Sequence, residues 1–441
     1  MKRILVLGAG LVSRPMVRYL LDAPDFEVTV ASRTVSKAHE LVGNHPRGRA
    51  LALNVESDEA LDRMVGKADL AVSLLPYTYH VTVAGHCLKH KKPLVTTSYV
   101  SDAMRALDAE AKKAGVIFLN EIGLDPGIDH MSAMRVIHGV QNKDGRVTSF
   151  MSYCGGLPAP DANDNPLGYK FSWSPRGVVM AGRNDARYLK DGKEVFVPGP
   201  DLFGHRWPLR VADGFEFEAY PNRNSMPYIK LYGLEGVKTM YRGTLRNPGW
   251  CDTLKAIADL GLLKDDAVKT GLAATTYAAW LRGYAPGSGS LRSDVARRLG
   301  LSEKHAVLDR FAWLGLFDEK PIGLEQGSNL DILAKAMLER MAYKPGERDL
   351  IVLHHEFIAE YPDRPAEKLL STLIDFGIPN GDSAMARTVS LPAAIGARMI
   401  LQGQLKLTGV HIPVLPELYN PVLDELARLG IVCKERTEQT A

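Results

Sequence analysis

Cysteine is scarce in this sequence of 441 residues: there are four, Cys87, Cys154, Cys251 and Cys433. They lie far apart with no C-x-x-C pair, which argues against a disulfide framework and for reduced thiols. An excess of one charge is also missing. Lys and Arg number 54 against 51 Asp and Glu, a formal net charge of +3 with the basic residues scattered. That leaves no electrostatic footprint for nucleic acid or an anionic membrane. Nor is there a long hydrophobic run. The apolar stretch from Ile4 to Val12 ends at Ser13 and Arg14, too short to span a bilayer and without a signal-peptide cleavage pattern. These absences lead to the expectation of a soluble, cytoplasmic protein. One further lack is local: no acidic residue stands at the end of the second strand, where Ser32, Arg33 and Thr34 occur instead.

What is present starts at the N-terminus. Ile4 to Leu7 reads as a short buried strand, followed by a turn at Gly8 and Gly10 and a helix through Ser13 to Leu21. A strand feeding a glycine turn onto a helix N-terminus points backbone N–H groups and the positive end of the helix dipole at one spot, a cradle for a pyrophosphate. Gly8 permits the tight turn and Gly10 the close approach. Ser13 takes the third small position of the dinucleotide fingerprint. With Arg33 in place of the carboxylate that would hold a ribose 2′-hydroxyl, the pattern favours a 2′-phosphate and hence NADP(H) over NAD(H).

Strand and helix then alternate. Strands are expected at Glu27 to Ala31, Arg49 to Val55, Asp69 to Pro76, Lys92 to Thr97 and Gly115 to Asn120, with helices at Glu59 to Gly66, through Cys87 and Lys89, and at Asp102 to Ala114. Repeated units with near-continuous apolar strands imply an α/β, Rossmann-type, doubly wound parallel sheet. Ligands in such sheets bind at the carboxyl ends of the strands, which gathers Asn54, Val55, Leu74, Leu75, Ser98, Tyr99 and residues 121–125 around one crevice. His80, His86 and His90 are expected on a solvated helix, with no metal role. Asp125, before Pro126, is expected to cap the next helix, to stand at the mouth of the crevice, or both.

From Thr148 the pattern changes to longer strands and shaped loops, making a second, α+β domain. Strands are expected at Ser149 to Tyr153, Lys193 to Val197, Phe215 to Tyr220 and Asp349 to Ile358, and Cys154 to Pro160 is expected as loop. Arg223 sits among amide and hydroxyl donors, and Arg242 and Arg246 share parity on an apparent strand. Residues 265–315 read as a helical section, with helical periodicity from Thr270 to Arg282. His354 and Glu356 share a strand face, but no third ligand is spaced for a metal, so His354 and His355 are expected on an ordinary sheet surface. Ala393 to Leu405 and Pro421 to Leu429 are expected as helices packing back on the first domain.

The motifs running from Cys154 to Pro160, Asn165 to Ser174, Gly8 to Pro15, Asn120 to His130 and Tyr241 to Arg246 together resemble the saccharopine reductases, the NADP-dependent, L-glutamate-forming saccharopine dehydrogenases. Ser13 and Leu11 stand where that family leads one to expect Thr and Phe. The resemblance implies an NADP-binding Rossmann domain over 1–125, a substrate and dimerisation domain over 126–264 and 345–390, a small all-helical insertion over 265–344, and helices from about 390 to 441 returning to the first domain. It implies reduction of an imine between L-glutamate and 2-aminoadipate 6-semialdehyde, in lysine metabolism, by a homodimer. Gly8, Gly10, Leu11, Val12, Ser13, Ser32, Arg33, Thr34, Asn54, Val55, Leu74, Leu75 and Trp173 would hold NADP(H). Ser98, Tyr99, Asp125, Arg223, Thr244, Leu245 and Arg246 would hold saccharopine, whose three carboxylates call for several fixed arginines. Asp125, Tyr99 and Cys154 are the candidates for acid–base work at the nitrogen. Two alternatives remain: a related reductase of another carboxyalkyl-amine, carboxynorspermidine-type, which would need acidic contacts in place of some arginines, and a non-catalytic NADP(H)-binding protein.

Overall fold

The computed structural model describes residues 1–212, 214–264 and 267–439, and the chain divides into two compact units. Unit 1 comprises Met1–Arg146, Tyr361–Arg364 and Leu373–Arg436. It begins with β1 (Lys2–Leu7), α1 (Arg14–Asp22), β2 (Phe26–Ser32), α2 (Val35–Val42), β3 (Gly48–Ala52) and α3 (Asp58–Lys67). It continues with β4 (Leu70–Ser73), α4 (His80–Lys89), β5 (Leu94–Thr96), α5 (Asp102–Ala106), α6 (Asp108–Ala114), β6 (Ile117–Leu119) and α7 (Ile128–Gln141). Residues 4–7 of β1 and all of β4, β5 and β6 are buried, because helices cover both faces of the sheet, as their apolar runs require.

The seven strands lie in the order β17-β6-β5-β4-β1-β2-β3, where β17 is Gly409–His411. Every pairing in this sheet is parallel. The order reverses between β1 and β4, the switch point where a doubly wound sheet opens a crevice at the strand carboxyl ends. The C-terminal helices α15 (Ala384–Leu401) and α16 (Pro416–Arg428) pack on α1 and α7 respectively, all within unit 1.

Several boundaries differ from expectation. Helix α2 has no counterpart in the sequence reading. β3 stops at Ala52, leaving Asn54 and Val55 in the following turn, and the helix expected over 102–114 breaks at Leu107 into α5 and α6. Helix α15 starts nine residues before Ala393, capped by the Ser383 hydroxyl, and runs through Pro392.

Unit 2 comprises Val147–Glu360, Pro365–Thr372 and the chain end from Thr437. Its strands and helices are β7 (Arg146–Pro158), α8 (Pro175–Ala181), β8 (Ala186–Lys190), β9 (Lys193–Val197), β10 (Trp207–Ala212), β11 (Phe215–Pro221), α9 (Pro227–Leu231) and β12 (Thr239–Arg246). They are followed by α10 (Trp250–Asp259), β13 (Lys269–Thr270), α11 (Tyr277–Arg282), α12 (Leu291–Leu299), α13 (Ala306–Trp313), β14 (Gln326–Gly327), α14 (Asn329–Arg340) and β15 (Asp349–Glu360). The main sheet is mixed and orders as β10-β11-β12-β7-β15-β16-β18, with β8 and β9 branching from β12, where β16 is Glu367–Phe376 and β18 is Lys434–Gln439. β12 runs parallel to β7 and antiparallel to β11.

The stretch from Cys154 to Pro158, expected as loop, continues β7. The reason is close packing: a methyl at Gly155 would lie 2.8 Å from Leu245 Cβ and 2.9 Å from its carbonyl oxygen, so only glycine lets β12 approach here. The helix expected from Thr270 begins only at Tyr277. Thr270 pairs with β14, and the Thr276 hydroxyl caps the helix by accepting from the Ala279 N–H. The expected start of the helical section at 265 lies outside the described residues.

Candidate active site

In unit 1 the glycine turn forms as the sequence implies. Gly8 has φ 113°, and a side chain there would press on the Leu74 carbonyl at 3.1 Å, so Gly8 and Leu74 meet across the switch point. Around Gly10 a methyl would meet no atom within 4 Å, and Leu11 is exposed. Backbone with open space above it at a helix N-terminus suits a pyrophosphate. Ser13 does more than fit. It is fully buried, its hydroxyl donates to the Gly8 carbonyl (3.3 Å) and accepts from the Gly10 N–H (3.1 Å).

Ser32 ends β2 and Arg33 and Thr34 follow it, with the Ser32 hydroxyl accepting from the Thr34 N–H at 3.3 Å. Arg33 is exposed and makes no ion pair among the described residues. Asn54 and Val55 follow β3, and Leu74 and Leu75 follow β4. The unit 1 coenzyme candidates therefore all lie at the carboxyl ends of four neighbouring strands, and this donor set fits a dinucleotide carrying an extra phosphate.

Further along the same edge, the Tyr99 hydroxyl donates to Asp125 Oδ1 at 2.8 Å. Asp125 does not cap a helix. Helix α7 starts at Ile128, its cap is Gly127, and the Gly127 N–H donates to Asp129 Oδ1 at 2.6 Å. The loop turns so tightly that a side chain on Gly127 would overlap the Gly123 backbone.

Two of the three histidines depart from expectation as well. His80 and His86 are buried rather than solvated. His80 opens α4 with its ring between Ser73 Oγ (2.9 Å from Nδ1), Thr96 Oγ1 (3.0 Å from Nε2) and Ser98 Oγ (2.9 Å from Nε2). Burial pulls its pKa down to about 4, which keeps the imidazole neutral at physiological pH. His80 thus holds one of the expected substrate contacts, Ser98. Nothing in local sequence marks it, since its partners come from the ends of β4 and β5.

In unit 2, Cys154 of β7 pairs in register with Thr244 of β12, and Arg246 pairs with Glu218 of β11. Arg242, Thr244 and Arg246 alternate onto one face of β12, and partners in register share a face, which brings Cys154 to the same side. The Arg246 guanidinium lies over the rings of Tyr169 (4.9 Å) and Trp250 (5.5 Å) and donates to the Leu245 carbonyl at 2.7 Å. Its Nε, the Tyr169 hydroxyl and the Trp250 indole N–H are buried with no hydrogen-bond partner among the described residues. A buried cation with spare donors suits a carboxylate. Arg242 is buried over the Tyr228 ring at 4.4 Å.

The other candidates lie elsewhere on the strands and loops of unit 2. Leu245 points to the opposite face, against Gly155. Arg223 is exposed in the turn after β11, with φ 53° and its carbonyl accepting from the Arg187 N–H at 2.9 Å. Trp173 is half-buried in the loop before α8, its ring against Gly177. His354 and His355 are buried rather than on a surface, and His354 lies 3.4 Å from Glu356 and 2.8 Å from the Thr372 hydroxyl.

Comparison with known proteins identifies the family. The family model described as the saccharopine dehydrogenase NADP binding domain matches residues 4–119, and that described as the saccharopine dehydrogenase C-terminal domain matches residues 123–431. The chain is 41% identical over 445 residues to saccharopine dehydrogenase [NADP(+), L-glutamate-forming] of Saccharomyces cerevisiae, covering 99% of each. It is 40% identical over 446 residues to the protein of the same description from Pyricularia oryzae, again covering 99% of each. A solved structure of apo saccharopine dehydrogenase (L-Glu forming) from Saccharomyces cerevisiae superposes with a TM-score of 0.89 at 41% identity, covering 99% of this chain and 100% of that one. With both of its parts matched and its relatives aligned from end to end, the chain belongs to the saccharopine dehydrogenase family.

Proposed function

We propose that the protein is an NADP-dependent oxidoreductase acting on a CH–NH bond, which interconverts saccharopine with L-glutamate and L-2-aminoadipate 6-semialdehyde. The observation that carries this reading is the end-to-end likeness to relatives described as L-glutamate-forming. Consistent with it, unit 2 carries buried arginines where a polyamine-accepting reductase would need acids. Bound NADP⁺ would supply the hydride acceptor; loss of a hydride from the saccharopine carbon that becomes the aldehyde, and of the proton from the secondary amine, gives an imine that water splits into the semialdehyde and glutamate.

The residues of the chain bind, orient and move protons. In unit 1 the turn at Gly8, Gly10, Leu11, Val12 and Ser13 takes the pyrophosphate, Arg33 with Ser32 and Thr34 takes the 2′-phosphate, and Asn54, Val55, Leu74 and Leu75 flank the nucleotide. Trp173 of unit 2 is assigned to the same coenzyme. Arg246, with Thr244 and the Leu245 backbone, takes a substrate carboxylate, and Arg223 another. Ser98, Tyr99 and Asp125 are assigned to saccharopine. The Tyr99–Asp125 hydrogen bond gives a phenol and a carboxylate able to pass a proton at the amine nitrogen, with Cys154 the third candidate.

Residues 1–125 form the coenzyme domain in this reading, 126–264 and 345–390 the substrate and dimerisation domain, and 265–344 a helical insertion. The protein works as a cytoplasmic homodimer in lysine metabolism. The test is saccharopine-dependent reduction of NADP⁺ by purified protein, run beside diamine-derived carboxyalkyl-amines. NADPH formed with saccharopine alone supports the reading, and none over a broad pH range overturns it.

A further inference from the structure

One residue at the edge of unit 1 sits where its backbone should not favour it. Glu121 has φ 55°, a left-handed conformation that L side chains rarely adopt and glycine adopts freely. It is also 4% exposed, so its carboxylate is buried. A buried acid in an unfavourable turn needs compensating bonds, and three are visible. The Glu121 N–H donates to the Ser98 carbonyl at 3.2 Å. Glu121 Oε1 accepts from the Val100 N–H at 2.9 Å. Glu121 Oε2 lies 2.8 Å from Nε2 of His130, a fully buried imidazole whose Nδ1 is 3.7 Å from Asp129 Oδ2.

Tyr99 lies between the two backbone groups that Glu121 holds, the carbonyl before it and the N–H after it. Asp125, which accepts the Tyr99 hydroxyl at 2.8 Å, belongs to the loop that starts at Glu121. One residue thus fixes both flanks of Tyr99, its carboxylate holding the Val100 N–H and its backbone N–H the Ser98 carbonyl, and it starts the loop that carries the carboxylate partner of the phenol. We infer that Glu121, braced by His130, is a positioning residue that sets the Tyr99–Asp125 pair for the substrate. This rests on the assignment of Ser98, Tyr99 and Asp125 to saccharopine. The strand ends that carry the glycine turn and Arg33 are β1 and β2, so the inference predicts an effect on substrate and not on coenzyme.

The test uses the full chain carrying Glu121→Gly, which keeps the left-handed backbone without strain and removes the carboxylate, and Glu121→Gln, which keeps an oxygen for the Val100 N–H. Two measurements are read on each. Amide hydrogen exchange over residues 98–101 should quicken about tenfold or more in Glu121→Gly and far less in Glu121→Gln. The Michaelis constant for saccharopine should rise about tenfold or more in Glu121→Gly and return to within about threefold in Glu121→Gln, while the NADPH dissociation constant, read by nucleotide fluorescence, stays within about twofold.

Unchanged exchange in Glu121→Gly overturns the clamp whatever the kinetics do. Faster exchange with an unchanged saccharopine constant, or equal losses for saccharopine and NADPH, reduces Glu121 to a structural residue and also overturns the inference. If the wild-type protein fails to oxidise saccharopine, the functional assignment falls while the exchange measurement still decides the clamp. Should Glu121→Gly not fold, His130→Asn serves instead. It frees Glu121 Oε2, and both readouts should move in the same direction by a few-fold; neither moving overturns the inference.

Discussion

The Arg33 guanidinium, exposed after β2 with no ion pair among the described residues, is placed to discriminate between coenzymes by charge alone. Arg33→Asp should weaken NADPH binding about 10- to 100-fold, the scale of one lost charge-assisted contact, and leave NADH nearly unchanged. Fluorescence titration of both nucleotides checks this, and equal losses would remove the 2′-phosphate role. His80 makes a prediction about pH. An unfolded chain protonates this imidazole below about pH 6.5, whereas the folded one resists until about pH 4. Between those values the unfolded state binds the extra proton, so stability should fall as the solution is acidified, by about 3 kcal/mol at most. His80→Gln should flatten the dependence of Tm on pH across that window; an unaltered slope would show that other groups set it. Neither His80 nor Glu121 was legible in the sequence as a support of the site. Their partners at 73, 96, 98, 100 and 130 are scattered along the chain, and only the fold brings them together. Ser13 was legible as a small residue, but not as a hydroxyl that ties the glycine turn from inside.

At the scale of elements, patterns that act locally read well. The buried strands of unit 1 advertise themselves by unbroken apolar runs, and the first strand, turn and helix by glycine spacing. Patterns that depend on a neighbour read poorly. The glycines after Cys154 suggested loop, yet Gly155 is there so that β12 can lie close against β7. Gly155→Ala should therefore cost about 1–3 kcal/mol of stability by overpacking against Leu245. It should also raise the Michaelis constant for saccharopine, because Thr244 and Arg246 flank the displaced residue. Thermal melts with steady-state kinetics test both, and an unchanged Tm would mean that β12 shifts without cost. Arg246→Ala should raise that constant about 10- to 100-fold, and an unaltered value would take Arg246 off the substrate face. The helix expected from Ala393 to Leu405 instead starts at Ala384 and runs through Pro392.

For the whole molecule, the fold class was readable and the return of the C-terminal helices to the first domain was expected; that residues 126–146 belong to unit 1 was not, because α7 packs on α16, far along the chain. Dimerisation predicts elution near twice the 48.4 kDa chain mass in sizing chromatography, and a single-chain peak would count against it. The path of the chain has one more consequence. The seventh strand of the coenzyme sheet, Gly409–His411, pairs with Ile117–Leu119, although nearly three hundred residues separate them. On a ribosome, every other strand of that sheet emerges long before this one. Until it arrives, β6 exposes an unsatisfied edge that can recruit foreign strands. The nucleotide-binding unit is therefore begun before unit 2 and completed only after most of it, an interval in which chaperones have the most to protect.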